Sequence, residues 1–198
     1  LAEQMEEVMS SFEEALSDLA DRDDARAELV VLAANVAVHR GDASRAIELV
    51  TPHMGVLEAT RAVLSNAGVL VRELPVLAAG PARDAQVAYL LEILPRGVDH
   101  PQLMVRRRQQ ALEHLATVCI HALDSDLLAD DPTAAASRFG RLLARVARQH
   151  PEAEALYAAQ IALARFTRDR LDEPLTAAAR LESLVMDLDL PLEGVALA

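Results

Sequence analysis

Apolar residues recur along most of the chain at spacings of three and four, which places them on one face of an α-helix. The first such stripe runs from Leu1 to Leu19, and acidic side chains occupy the opposite face of the same segment. Continued along the chain, the pattern predicts nine helices, at about residues 2–21, 24–40, 43–50, 56–73, 82–94, 102–123, 132–149, 152–167 and 171–187.

One of these segments is apolar on nearly every side. Residues 30–38 contain a single polar side chain, Asn35. A helix that is apolar all round is buried between several neighbours, whereas a surface helix keeps one polar face. The second predicted helix is therefore expected to lie inside the fold.

Capping residues mark several of the predicted helix ends. Gly41 favours the left-handed backbone of a C-cap, and Asp42 is suited to cap the helix that begins at Ala43. Asp131 and Pro132 combine an N-cap residue with a proline at the first helical position. These residues predict a tight helical hairpin around residue 41 and a helix start at residue 132.

Proline and glycine interrupt the middle of the chain. The loop containing Gly80-Pro81 is the expected sub-domain break, near residues 74–82. Pro95 predicts that the fifth helix ends at Leu94, because proline lacks the N–H that a helix interior requires. The sixth helix is then expected to begin near Gln102.

The composition suits an all-α fold with an aliphatic core. Hydrophobic residues make up 52% of the 198 residues and aromatic residues only 3%, so Leu, Val and Ala must fill the interior. Glycine is scarce and β-branched runs are short, which argues against a large sheet. Because short links join the predicted helices, we expect antiparallel hairpins within a single domain over residues 1–198.

The charge and the rare residue types exclude several kinds of function. A formal net charge of −12 repels a phosphate backbone, so nucleic acid is not an expected partner. The single cysteine, Cys119, excludes an intrachain disulfide and a cysteine-rich zinc site. All 19 basic side chains are Arg, which removes chemistry that needs Lys. The sequence shows neither an apolar run long enough for a membrane span nor a leader, so we expect a cytoplasmic protein.

Residues 39–50, with a Gly-Asp turn followed by Ala-Ser-Arg-Ala-Ile-Glu-Leu-Val, resemble the turn and second helix of a tetratricopeptide repeat. Members of that family repeat a pair of helices about every 34 residues. Its signature positions fall here on Val30, Ala33, Ala34, Ala37, Ala46 and Val50, whereas its closing proline is absent. Residues 151–157 resemble the family's join between repeats, and residues 170–175 resemble its turn and second helix, with Pro174 in place of the small Ala. The resemblance implies a solenoid of helix pairs with a concave protein-binding face; an irregular helical bundle is the alternative.

In peptide-binding members of that family, the first helix of each repeat lines the groove. The resemblance places Asn35 at the position that often grips a peptide backbone or a terminal carboxylate. It places Val31 and His39 where carboxylate-clamping members carry basic residues, which argues against such a clamp. We predict Asn35 and His39 as partner-binding residues. The alternative for Asn35 is a buried amide that satisfies nearby backbone groups.

Four arginines of the seventh predicted helix recur at i, i+3, i+7 and i+10: Arg138, Arg141, Arg145 and Arg148. This spacing places four guanidinium groups on one helix face, where they are suited to bind the carboxylates of an acidic partner. Arg165 and Arg168 on the next helix are candidates to extend the stripe. The alternative is a solvated face, or one paired with the acidic first helix, because exposed ion pairs contribute only about 0–1 kcal/mol each.

The sequence shows no motif for catalysis, a cofactor or a metal. It lacks the glycine-rich phosphate loops and the HExxH and GxSxG motifs. His114, His121 and Cys119 do not converge on one helix face, as a metal site requires. We therefore expect a protein that is not an enzyme and that holds no cofactor or metal.

Three hypotheses for the function remain open. The first is a protein–protein interaction module, acting as a scaffold, an adaptor or a co-chaperone, whose partner is a protein or peptide. The second is a regulatory or dimerisation domain of a larger signalling or transcription protein, since the chain starts at Leu1 and lacks catalytic motifs; a homo-oligomer would then be expected. The third is a small-molecule-binding bundle with an apolar pocket between Ala-rich helix faces.

Overall fold

A computed structural model describes residues 10–11, 14–15, 23–123 and 131–170. These residues are all-helical, without a strand. They form seven α-helices and, between the second and third, a 3-10 turn at Thr51–His53. The bounds are α1 Asp23–His39, α2 Ala43–Val50, α3 Leu57–Glu73, α4 Pro81–Val98, α5 Val105–Leu123, α6 Pro132–Gln149 and α7 Glu154–Arg170.

The seven helices confirm the predicted pattern from the second helix to the eighth. Residues 10–11 and 14–15 are helical, as the first predicted helix requires. The rest of that helix and the predicted helix at 171–187 lie outside the described residues. None of the described helices combines the length and the apolar character that crossing a bilayer requires.

The chain divides into two compact units. The first spans residues 1–104 and contains α1 to α4, and the second spans residues 105–198 and contains α5 to α7. The loop at residues 74–80, near which the sequence suggested a sub-domain break, lies inside the first unit, where α3 and α4 contact each other.

The first hairpin closes as its capping residues predict. Gly41 adopts a φ of +85°, and the bonds from Gly41 N to Val38 O (2.9 Å) and from Asp42 N to Ala37 O (2.9 Å) form a Schellman motif. The Asp42 carboxylate accepts a hydrogen bond from the backbone N–H of Arg45 at 2.9 Å. The turn therefore fixes the direction in which α2 leaves α1.

The apolar helix α1 lies inside the first unit, where it contacts α2, α3 and α4. Val30, Ala33, Ala34 and Val38 are buried, which confirms the expectation for this segment. Leu32, however, is 53% exposed, and Asn35 and Val36 are half-buried. One side of this apolar segment therefore reaches the solvent.

The fifth predicted helix was wrongly expected to end before Pro95, since α4 continues to Val98. Arg96 pairs with Glu92 one turn back, and Ile93, Leu94 and Val98 carry the buried face past the proline. This burial offsets the single hydrogen bond that proline removes.

Gly97 lies where α4 packs against Leu64 of α3. A Cβ atom at Gly97 would stand only 2.5 Å from Leu64 Cδ2. Glycine therefore allows the two helices to approach each other, which is a packing role that its sequence context did not indicate.

The sixth predicted helix begins three residues later than expected, at Val105. The His100 ring accepts a hydrogen bond from Gln102 N at Nδ1 (3.3 Å), and His100 O accepts one from Leu103 N (3.1 Å). The other ring nitrogen, Nε2, lies 3.2 Å from Gly55 O. These bonds fold residues 100–103 into a turn before the helix starts.

In the second unit, a side chain of α5 caps the beginning of α7. Both carboxylate oxygens of Glu113 accept backbone hydrogen bonds, from Glu154 N at 2.9 Å and from Ala155 N at 2.8 Å. Asp131 caps α6 in the predicted way, by accepting a bond from Ala134 N at 2.9 Å. The carboxylate of Glu113 therefore satisfies helix-end N–H groups that would otherwise need water.

Candidate functional site

Two polar contacts join α1 to α3 in the first unit. The side-chain amides of Asn35 and Asn66 hydrogen-bond to each other in both directions, at 3.0 and 2.6 Å. Near the ends of the same helices, His39 Nε2 lies 3.9 Å from Glu73 Oε2. His39 Nδ1 is held by the carbonyl of Asn35 at 2.8 Å. The two contacts follow each other in the same order along both helices, so α1 and α3 run parallel.

The two helices also match in spacing. They end at His39 and Glu73, 34 residues apart. With this offset, Leu32 corresponds to Asn66, Asn35 to Val69, and His39 to Glu73. The same three positions of each helix therefore face the same side of the helix pair.

Apolar side chains are exposed beside the polar contacts. Leu32 is 53% and Val69 is 42% exposed, although α1 and α3 bury most of their described apolar residues. Asn35 and Asn66 are half-buried, and each lies about one helical turn from one of these two side chains. We call this the α1–α3 surface, formed by Leu32, Asn35, His39, Asn66, Val69 and Glu73.

The structure places the predicted residues of α1 in different environments. His39 is exposed and Asn35 half-buried at the α1–α3 surface, whereas Val31 is buried and faces the core. The Asn35 amide is held by another side chain rather than by backbone groups. Each amide of the pair retains one N–H and one oxygen lone pair for a further partner.

The four arginines of α6 lie on the side of the helix away from its core. Arg138, Arg141 and Arg148 are exposed and Arg145 is half-buried, while Phe139 and Val146 are among the residues buried on the other side. The spacing therefore predicted one arginine face, as the structure shows.

Arg148 stands at the end of this face, beside a groove between α6 and α7. The groove has a volume of about 420 Å³ and is lined by Ala147, Arg148, Pro151, Ala153, Leu156, Tyr157 and Gln160. Tyr157 is 58% exposed at its rim. The groove therefore combines the guanidinium group of Arg148, the phenol ring of Tyr157 and the amide group of Gln160 with an apolar floor.

Arg165 and Arg168 take other places in the second unit. Arg165 lines a different groove, between α5 and α7, with Ile120, Ile161 and other residues. Arg168 donates a hydrogen bond to Asp169 at 2.8 Å, and this bond lowers the pKa of the Asp169 carboxyl group.

Two titratable groups of the described residues are fully buried, Tyr89 in the first unit and Cys119 in the second. Burial raises the pKa of the Cys119 thiol to about 12, although the positive charge of Arg138 acts in the opposite direction. Burial also raises the pKa of the Tyr89 phenol well above its usual value. Both groups are therefore neutral at physiological pH, and a neutral, buried thiol is a poor nucleophile.

Sequence reasoning missed several residues of these surfaces. Asn66 carried a usable signal, because Asn35 and Asn66 are the only two asparagines of the chain and lie 31 residues apart, close to one repeat. Leu32 and Val69 carried none, since they lie within apolar runs. Tyr157 joins Arg148 only through the packing of α7 against α6.

No family model, curated protein or solved structure matches the chain. Its own contacts therefore carry the functional argument.

Proposed function

We propose that the chain is a protein-interaction module, acting as a scaffold or an adaptor, and that the α1–α3 surface binds a segment of a partner protein. The observation that carries the proposal is the exposure of Leu32 and Val69, each about one helical turn from a member of the Asn35–Asn66 amide pair. Exposed aliphatic side chains beside fixed polar groups are typical of sites that recognise protein.

The repeat-like geometry of the first unit supports this proposal. The 34-residue offset of α1 and α3 equals the length of the tetratricopeptide unit that residues 30–50 resemble. Parallel first helices side by side are what a solenoid of helix pairs requires. We infer that the first unit is two such pairs, α1 with α2 and α3 with α4, and that α1 and α3 form its binding face.

The surface also indicates the chemistry of the bound segment. Leu32 and Val69 would contact apolar side chains, and the amides of Asn35 and Asn66 would bond to the segment's backbone through their remaining N–H and oxygen groups. A segment that is extended, with apolar residues between exposed backbone groups, satisfies both. The amides are already fixed by each other, so binding costs little side-chain entropy there.

A peptide library selected on the full-length chain tests this proposal. We expect the selection to enrich peptides with apolar residues at regular intervals. Leu32→Glu or Val69→Glu should weaken the binding of the enriched peptides that lack acidic residues at least about tenfold, because a carboxylate would be desolvated against an apolar side chain. Isothermal titration calorimetry measures the affinities.

Val56→Glu is the matched control, because Val56 is 42% exposed, as Val69 is, but lies at the opposite end of α3. This variant should bind the enriched peptides with wild-type affinity. Equal loss in all three variants would mean that added negative charge, and not the α1–α3 surface, governs binding. A selection that enriches no peptide would refute the proposal.

A further inference from the structure

Positive charge is concentrated on α6. Residues 132–149 contain four arginines and no acidic residue, within a chain whose formal net charge is −12. A local excess of one sign within a chain of the other sign attracts ligands that the whole molecule repels. The arginine face of α6 is therefore suited to an acidic ligand.

The exposed arginines of α6 are spaced so that one ligand can contact two of them. Arg141 and Arg148 are both exposed and lie seven residues apart, or about 10 Å along the helix. In a polyproline II peptide, which has three residues per turn and rises about 3.1 Å per residue, carboxylates three residues apart lie on one side and are separated by about 9 Å. One peptide can therefore place a carboxylate on each of the two guanidinium groups.

The groove beside Arg148 adds an apolar contact to the electrostatic one. Its floor is formed by Ala153, Leu156 and other apolar residues, and Tyr157 and Gln160 lie on its α7 side. A volume of about 420 Å³ accommodates one or two aliphatic side chains. Arg and Tyr are also the side chains that most often dominate binding energy at protein interfaces.

We propose that the α6–α7 groove and the adjoining Arg141 are a second docking site, for an acidic segment of a partner protein in which a carboxylate adjoins a leucine-like side chain. The carboxylate bonds to the guanidinium of Arg148, the neighbouring apolar side chain enters the groove beside Leu156 and Tyr157, and a second carboxylate reaches Arg141. The proposal rests on the proposed function in that the chain acts by binding protein, but it uses a different unit.

Fluorescence anisotropy with a labelled peptide that repeats Glu-Leu-Ser tests the second site on the full-length chain. The wild-type chain should bind this peptide, and the affinity should fall as salt is added, because ions screen exposed charges. Arg148→Gln should weaken binding about tenfold, which is the usual effect of losing one hydrogen bond to a charged group. Tyr157→Ala should weaken it at least about threefold through lost apolar contact.

Two controls separate this site from general charge attraction. Arg106→Gln removes the same charge from an exposed position on α5 and should leave the affinity unchanged. A peptide that repeats Gln-Leu-Ser should not bind. Equal weakening by Arg106→Gln and Arg148→Gln, binding of the neutral peptide, or no binding of the acidic peptide would each overturn the proposal.

Two further results show what binds in the α6–α7 groove and whether this site acts independently of the α1–α3 surface. Self-association of the chain that Arg148→Gln abolishes would identify the occupant as an acidic segment of a second copy, and would overturn the assignment to a partner protein. Peptides selected on the α1–α3 surface should still bind Arg148→Gln with wild-type affinity. Failure at the α6–α7 groove is thus distinguishable from failure of the proposed function.

Discussion

The native chain at pH 8 is expected to react with a thiol reagent at least about a thousandfold more slowly than the same chain unfolded in guanidinium chloride. Cys119 is the only thiol and is fully buried in α5. A reagent can reach it only when the helices of the second unit open. The reaction rate therefore reports the free energy of that opening.

The pH dependence of the same reaction should be similar in the two states. Burial raises the pKa of Cys119 to about 12, so the closed form gains no thiolate between pH 7 and 9. Labelling of the native chain therefore proceeds through the opened form, whose thiol ionises near the ordinary pKa of about 8.5, as in the unfolded chain. Absorbance of the released reagent measures both rates, and rapid labelling of the native chain would contradict the buried position of Cys119.

Replacement of Tyr89 by Phe and by Ala is expected to change the free energy of unfolding in opposite directions. Tyr89 is fully buried in α4, and the described residues supply no hydrogen-bond partner for its hydroxyl group. Tyr89→Phe removes that hydroxyl and should raise the free energy of unfolding by about 1–3 kcal/mol. Tyr89→Ala leaves a cavity in the core and should lower it by about 3–5 kcal/mol.

Denaturant unfolding followed by circular dichroism measures both changes. The control is Tyr157→Phe, because Tyr157 is the other tyrosine of the chain and is exposed, so its substitution should change stability by less than about 0.5 kcal/mol. A loss of stability in Tyr89→Phe would show that the hydroxyl group of Tyr89 has a hydrogen-bond partner, which would contradict its position in the core.

The helices were predictable from the sequence because their causes are local. Gly41, Asp42 and Asp131 act on backbone groups within a few residues, and their roles follow from residue type alone. The end of α4 was not predictable in this way. Pro95 is a local signal to stop, but burial of the following turn against other helices outweighs it.

The arginine face was predictable for the same reason, since it depends only on the period of one helix. The α1–α3 surface depends on contacts between segments that are distant in sequence. The side chains of Asn35 and Asn66 are in contact because the turns before and after α2 set the direction of α3. The exposure of Leu32 depends on which side of α1 its neighbouring helices leave uncovered. An apolar run does not indicate which side of the helix this is.

Methyl NMR of the chain shows directly whether the α1–α3 surface binds a protein segment. A peptide enriched by selection that lacks acidic residues is titrated into protein labelled at Leu and Val methyl groups. We expect the largest chemical-shift changes at Leu32 and Val69, and no shift at Val105, an exposed valine of α5. If the largest changes occurred in α5 to α7 while Leu32 and Val69 were unaffected, the α1–α3 surface would not be the binding site.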